Sequence, residues 1–266
     1  MKEFAMKLII AILVCLSAAS CSASSEERAL KELKRMQVSD FFSAPVQRSL
    51  AEAVERGNLI QAQAALDQGA DVDAIGKNGM TPLFWALAKQ NVDGFRFLLE
   101  QGANPNVVVD LPRHFQDGQA GAMEMAAQLE DPAYLRSLLE HGGDPNTIVN
   151  RSWNMPLLYR AIMSRRPENV LLLLEFGADI DHRDNSGQTP LVKATNATMF
   201  EIALLLIRQG ADPTIVDRLG DGPADIVMQF GNRGIDRRTN DLAAFDEFVK
   251  ELKERGLLEE DPPRFD

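Results

Sequence analysis

The chain has 266 residues, 45% of them apolar and 25% charged, a composition ordinary for a globular protein and enough for one large domain or two small ones. Acids outnumber bases 39 to 28, for a formal net charge of −11. That charge repels phosphate backbones and anionic head groups, which argues against nucleic acid or a lipid surface as principal partner and fits a basic patch on a protein better, with an acidity that only aids solubility as the other reading.

The first element in chain order is an export signal over residues 1–20. Lys2 and Lys7 make a short basic start, Leu8–Leu16 is purely apolar, and Ser17–Ser20 supplies small residues. An apolar run this short does not cross a hydrocarbon core, which needs about 20 residues. Met6 serves equally well as a start codon; Met36 is a conceivable internal start that would give an unanchored cytoplasmic form, against the ordinary reading of a lone Met. Loss of residues 1–20 removes Lys2, Lys7 and Glu3 and makes the net charge one unit more negative.

Ala18-Ala19-Ser20-Cys21 resembles a bacterial lipobox, with Ala in place of the preferred Leu. The resemblance implies lipidation, palmitate included, at Cys21. Ordinary cleavage before the same Cys also satisfies a small-x-small rule. Cys15 leaves with the signal, so Cys21 would be the one thiol of the exported protein, with no disulfide partner. Ser22, rather than Asp, implies sorting to the outer membrane, periplasm-facing, where several acyl chains hold stably. Residues 21–45 are expected as a tether, helical over Glu26–Met36; as coil they reach roughly 25–30 Å.

Self-similarity then dominates the chain. Leu-Leu-x-x-Gly-Ala-Asp recurs at Ala65–Asp71, Leu98–Asn104, Leu138–Asp144, Leu173–Asp179 and Leu206–Asp212. Twenty-one residues before the glycine stands a start signal, Thr81-Pro82-Leu83 or Thr189-Pro190-Leu191, and more loosely Pro156–Ala161 and Gly121–Ala126. Arg48–Ala53 opens a first repeat and Gly222-Pro223-Ala224-Asp225 a last. Thr before Pro makes a helix N-cap followed by Pro at the first helical position. The Gly closing each second helix suits the left-handed conformation. A helix over Asp241–Arg255 is expected to cap the stack through Leu242, Phe245, Phe248, Val249 and Leu252, followed by an acidic tail at 258–266.

These motifs resemble the ankyrin repeat. The resemblance implies an all-α solenoid of about six helix-turn-helix repeats with short β-hairpin fingers over residues 46–257, one domain that stacks into a continuous core. It also implies binding through fingertips and the inner face of each first helix. Repeat spacing grows by seven before Gly142, which lengthens the finger at Val107–Ala120 and singles out Arg113, His114 and Phe115. Trp153 falls on a fingertip position beside Arg151 and Met155. Lys77, Asn78, Met80 and Lys89 occupy comparable positions in the second repeat, and Asn185, Gln188 and Asn196 in the fifth. Gly231–Asn240 stretches the last repeat and carries Arg233, Arg237 and Arg238, the one basic loop of an acidic molecule.

Signs of catalysis are lacking. His114, His141 and His182 are scattered, and no Gly-x-Ser-x-Gly elbow or phosphate loop is present. The recurring Asp of Gly-Ala-Asp is read as marking finger bases rather than calcium ligands. No enzyme activity, metal or cofactor is expected, and the free protein is expected to be a monomer. The resemblance to exported ankyrin lipoproteins implies an immunity protein that neutralises a secreted antibacterial effector, a phospholipase of type VI secretion. A periplasmic scaffold or stress-protection protein is the alternative.

Overall fold

The computed structural model describes residues 35–110, 119–233 and 242–262. These fold into six helix pairs. They are α1 (Pro45–Glu55) with α2 (Leu59–Asp67), α3 (Pro82–Ala88) with α4 (Val92–Glu100), and α5 (Ala122–Gln128) with α6 (Ala133–Glu140). There follow α7 (Leu157–Met163) with α8 (Pro167–Glu175), α9 (Pro190–Asn196) with α10 (Phe200–Arg208), and α11 (Pro223–Arg233) with α12 (Leu242–Glu254). Between pairs the chain makes fingers. Two are paired as antiparallel strands: β1 (Val108–Asp110) with β2 (Gln119–Gly121), and β3 (Ile148–Asn150) with β4 (Met155–Pro156).

Local chemistry explains the boundaries. Thr81 Oγ1 accepts the Phe84 N–H (3.1 Å) and Thr189 Oγ1 the Val192 N–H (3.3 Å), each followed by Pro where a missing N–H costs nothing. The repeat glycines 69, 102, 142, 177 and 210 all take φ between 85° and 99°, where a Cβ would be penalised. No short helix can bury its apolar face alone, so the pairs stack. The shared core includes Trp85, Phe95, Leu98, Leu135, Leu158, Leu173 and Leu206. Packing is tight at Gly94, where an added Cβ would sit 2.1 Å from the carbonyl oxygen of Val54 on α1.

The recurring Asp and Asn residues form a ladder along the stack. Asp73 Oδ1 accepts the N–H of Asn104 (2.8 Å) and Asn106 Oδ1 that of Asp144 (2.7 Å). Asn146 Oδ1 accepts the N–H of Asp179 (2.8 Å) and Asp181 Oδ1 that of Asp212 (3.0 Å). Each rung ties one finger base to the next, so these side chains are spent on register.

Both ends depart from expectation. Cys21 and the proposed signal lie outside the described residues. The tether shortens: Met36, Val38, Phe41 and Phe42 are buried in the core, because the first repeat needs a neighbour over its open apolar face. At the other end, Phe245, Phe248, Val249 and Leu252 of α12 are buried as expected, but Leu242 is exposed at the helix start. Phe200 of α10 meets Phe245 at 4.9 Å and Phe248 at 5.9 Å. The tail is not wholly free either: Leu258 is buried and Lys253 pairs with Asp261 at 2.8 Å.

Candidate protein-binding surface

Successive fingertips are joined edge to edge by main-chain bonds. The N–H of Lys77 reaches the carbonyl of Phe41 (2.9 Å), that of Asn185 the carbonyl of Trp153 (2.9 Å), and that of Arg218 the carbonyl of Ser186 (3.0 Å). Phe41 thus stands where the tip of a preceding finger would. The fourth-repeat tip is further fixed by Asn150 Oδ1, which accepts the Trp153 N–H (3.1 Å), and by the left-handed turn at Asn154 (φ 53°). Asn154 Nδ2 donates to the Arg183 carbonyl (3.1 Å), and Arg183 Nη2 donates to the Val216 carbonyl (2.8 Å). A rigid edge results, and large apolar groups stand out from it: Ile75 at 68% exposure, Trp153 at 52% and Leu219 at 86%.

Placement divides the residues singled out from sequence. Lys77, Arg151 and Trp153 are exposed on the edge. Asn185 is exposed too, but its Nδ2 donates to the Ser152 carbonyl (2.7 Å), so it braces the Trp153 finger. Met155 lies in β4, half-buried against the core, because alternation in a strand turns it away from the tip. Met80 is buried outright. Lys89 is also inside: its side chain is 8% exposed, and Nζ donates to the Met36 carbonyl (2.8 Å) and pairs with Glu55 (3.3 Å). Gln188 is half-buried, its carbonyl accepting the Tyr159 hydroxyl, while Asn196 is exposed. Arg113, His114, Phe115, Arg237 and Arg238 lie outside the described residues, as do the side chains of Asn78 and Arg233. The strand pairs Val108–Gly121, Val109–Ala120 and Asp110–Gln119 form the base of the third finger.

Sequence reasoning missed a polar cluster on the first helices. Trp85, Met125, Arg160 and Lys193 share one slot of the repeat, four residues after the start signal, so they form a row across α3, α5, α7 and α9. The first two are buried; Arg160 and Lys193 are half-exposed. Arg160 Nε lies 2.8 Å from Oε1 of Glu124, a carboxylate almost fully buried on α5. The ion pair is in contact but Nε–H is out of line with the oxygen, and Glu124 Oε2 has no protein partner. Gln128 Oε1, Ser164 Oγ and Asn169 Oδ1 nearby are also buried without a protein partner. Desolvation outweighs the attraction of Arg160 and pushes the Glu124 carboxyl up to about 7. Lys193 Nζ lies 6.0 Å from the ring centroid of Tyr159, whose hydroxyl donates to the Gln188 carbonyl (2.6 Å). The matching slots of Arg160 and Lys193 were readable from the repeat; the burial of Glu124 was not.

The remaining chemistry is structural. His141 Nδ1 contacts the Ser137 carbonyl (2.8 Å) at a helix end, and His182 Nε2 contacts Asn154 (2.9 Å). Among the described residues no three His, Cys, Asp or Glu side chains converge to hold a metal, and no helix is long and apolar enough to cross a membrane.

A stack of helix pairs with bonded fingers and an exposed edge defines a class of protein-interaction module, and sequence comparison agrees. The model of the family described as ankyrin repeats (3 copies) matches residues 19–108 and 123–217, and the chain belongs to that family. Protein PhlB of Serratia liquefaciens is 33% identical over 163 residues, 60% of this chain and 67% of that protein. The B-cell lymphoma 3 protein homolog of Mus musculus is 33% identical over 145 residues, 53% of this chain but only 31% of its own length. Among solved structures, the ankyrin repeat domain of Bcl-3 superposes with a TM-score of 0.61 at 27% identity, covering 78% of this chain and 86% of that one. A chain from the complex of the predatory endopeptidase Bd0816 of Bdellovibrio bacteriovorus with immunity protein Bd3460 gives 0.57 at 22% identity, covering 75% and 97%, a likeness of fold.

Proposed function

We propose that this protein captures a secreted antibacterial effector, a phospholipase, and so acts as an immunity protein, without enzyme activity of its own. The observation that carries the reading is Trp153, a half-exposed indole on a finger fixed from both sides and flanked by the exposed Arg151. Trp and Arg dominate binding energy where a rigid surface presents them, because little side-chain and loop entropy is lost on contact. Support from kinship is at the level of fold: the same architecture occurs in a complex that contains an immunity protein. Lipid at Cys21 would hold the module facing the periplasm at the outer membrane, in the path of an incoming toxin.

The test is co-expression with a candidate phospholipase effector from the same genome. Rescue of growth, a complex on gel filtration, and loss of both with Trp153→Ala support the reading. No rescue and no complex would sink it, and several endogenous partners with a stress phenotype would favour the scaffold alternative. Labelling with palmitate, abolished by Cys21→Ala, tests the anchor.

A further inference from the structure

We infer that Arg160 and Lys193 form a receptor on the inner helices for a carboxylate-bearing segment of the partner protein, with Glu124 as the internal carboxylate that this segment displaces. The inference deepens the reading of the chain as a protein-capture module and is independent of which protein is captured.

Three observations carry it. Position comes first. Arg160 and Lys193 occupy the same slot on neighbouring helices α7 and α9, so they stand side by side. In that slot α3 has Trp85, α5 has Met125 and α11 has Ile226, all buried. Two adjacent cations on an acidic chain are a local inversion of charge, and an acidic partner group complements it.

Arg160 is also available for exchange. Its side chain is 23% exposed while that of Glu124 is 4% exposed, so one end of the pair meets solvent and the other does not. The contact engages one carboxylate oxygen with an N–H out of line, leaving most of a guanidinium that can take a carboxylate bidentately.

The cluster behind Glu124 can, finally, accept its neutral form. Gln128 stands one helical turn from Glu124, and Gln128 Oε1 and Glu124 Oε2 are both buried acceptors without a donor. A proton on Oε2 turns that orphan acceptor into a donor and leaves the carboxyl neutral, so loss of Arg160 to a partner need not strand a buried charge. Among the described residues, the other polar groups around Glu124 are neutral or otherwise engaged. Ser164, beyond α7, is neutral, and Asn169 of α8 donates its Nδ2 to the carbonyls of Ala127 and Leu129. Arg166 donates Nε to the Gln128 carbonyl (3.1 Å). Helix α3 carries no ionisable side chain and β2 none. On α6, Arg136 pairs with exposed Glu175, Glu140 is exposed, and Tyr134 packs edge-on against Phe95. When the partner's carboxylate takes Arg160, those Glu124 carboxyls still ionised take a proton from solvent, a fraction of a proton per chain near pH 7. Binding is therefore coupled to proton uptake near neutral pH.

The experiment titrates the purified full chain with hexaglutamate, and with hexalysine as control, by calorimetry at pH 7 in two buffers of different ionisation enthalpy. Hexaglutamate should bind saturably with uptake of a fraction of a proton, and hexalysine, titrated by itself, should show no buffer-dependent proton uptake. Lys193→Ala should weaken hexaglutamate about threefold, and Arg160→Gln with Lys193→Ala tenfold or more. Glu124→Gln should bind at least as tightly as the wild type, with no buffer-dependent uptake. Absence of hexaglutamate binding, affinity unchanged in Lys193→Ala and in the double variant, or equal proton uptake in Glu124→Gln would each overturn the inference. Lys193→Ala breaks no buried charge pair, and Glu124→Gln leaves only Arg160, whose side chain still meets solvent, so the test survives if Arg160→Gln fails to fold. Failure here with growth rescue intact refutes only the carboxylate receptor; binding here without rescue refutes only the immunity reading.

Discussion

Asn185 braces Trp153: its N–H holds the Trp153 carbonyl at 2.9 Å and its Nδ2 the adjoining Ser152 carbonyl at 2.7 Å. The side chain that presents the indole is thus one repeat away from it. Trp153→Ala should weaken partner binding at least tenfold, with a melting temperature within a degree or two of wild type, since a half-exposed tip contributes little to the core. Asn185→Ala should weaken binding severalfold while costing about 1 kcal/mol or less of stability. Calorimetry with the protein partner, once captured, and thermal melts separate the two effects.

The N-terminal segment should be part of the folding unit. Phe41 lies 5.4 Å from the ring of Trp85, and Lys89 joins Met36 to Glu55 beneath it, 4.5 Å from the same indole. Phe41→Ala should cost about 3–4 kcal/mol, and Lys89→Met about 1–3 kcal/mol through the buried groups it leaves unpaired. Urea melts of the two variants check this, and a chain starting at Val46 should lose at least as much as Phe41→Ala.

Stability should fall as pH rises through neutrality on account of Glu124. Its folded carboxyl sits at about 7 against 4.5 for the free group, so the folded state holds the proton more tightly over that interval. The contribution is full below pH 4.5 and is lost as pH climbs through 7, on the order of 3 kcal/mol across the range. Glu124→Gln should remove that slope relative to wild type in urea melts from pH 5 to 8. Parallel pH profiles for the two proteins would contradict the assignment.

Gly94→Ala should be among the most disruptive single changes in the stack. Its new methyl would stand 2.1 Å from the Val54 carbonyl oxygen, backbone that cannot turn aside, so α1 and α4 must separate. A loss of about 2–4 kcal/mol is expected. Gly102→Ala, with open space at its Cβ but φ of 85°, should cost only about 1 kcal/mol.

Asn146→Ala should loosen the joint between the third and fourth repeats and their successor. Asn146 Oδ1 takes the Asp179 N–H, and Nδ2 donates to the Gly177 carbonyl at 3.0 Å. Hydrogen exchange at Asp179 should rise about tenfold while amides of α1 and α2 stay protected, because repeat stacks couple mainly to nearest neighbours.

Much of this was open to inspection in the chain itself. The Thr-Pro caps, the closing glycines and the Leu pairs set helix starts, stops and buried faces, because each acts within a turn or two of its own position. The fingertip place of Trp153 followed from counting along the repeat. Counting failed where a side chain's surroundings came from elsewhere in sequence. Lys89 looked like surface until Met36, fifty-three residues earlier, supplied its acceptor. Met36 and Phe41 looked like tether because no repeat motif marks them, yet an open stack end must be covered.

What the sequence determined alone was therefore the repeat, its period and its rim: a stack of helix pairs whose fingers point one way, behind a segment that reads as an export signal. The tertiary structure decided which polar groups are tools and which are mortar. It spent Asp73, Asn106, Asn146 and Asp181 on register and Asn185 on bracing. It left Arg160 partly in solvent against a carboxylate it had buried. Those outcomes depend on desolvation and on partners thirty or more residues away, and neither is a property of any local stretch of chain.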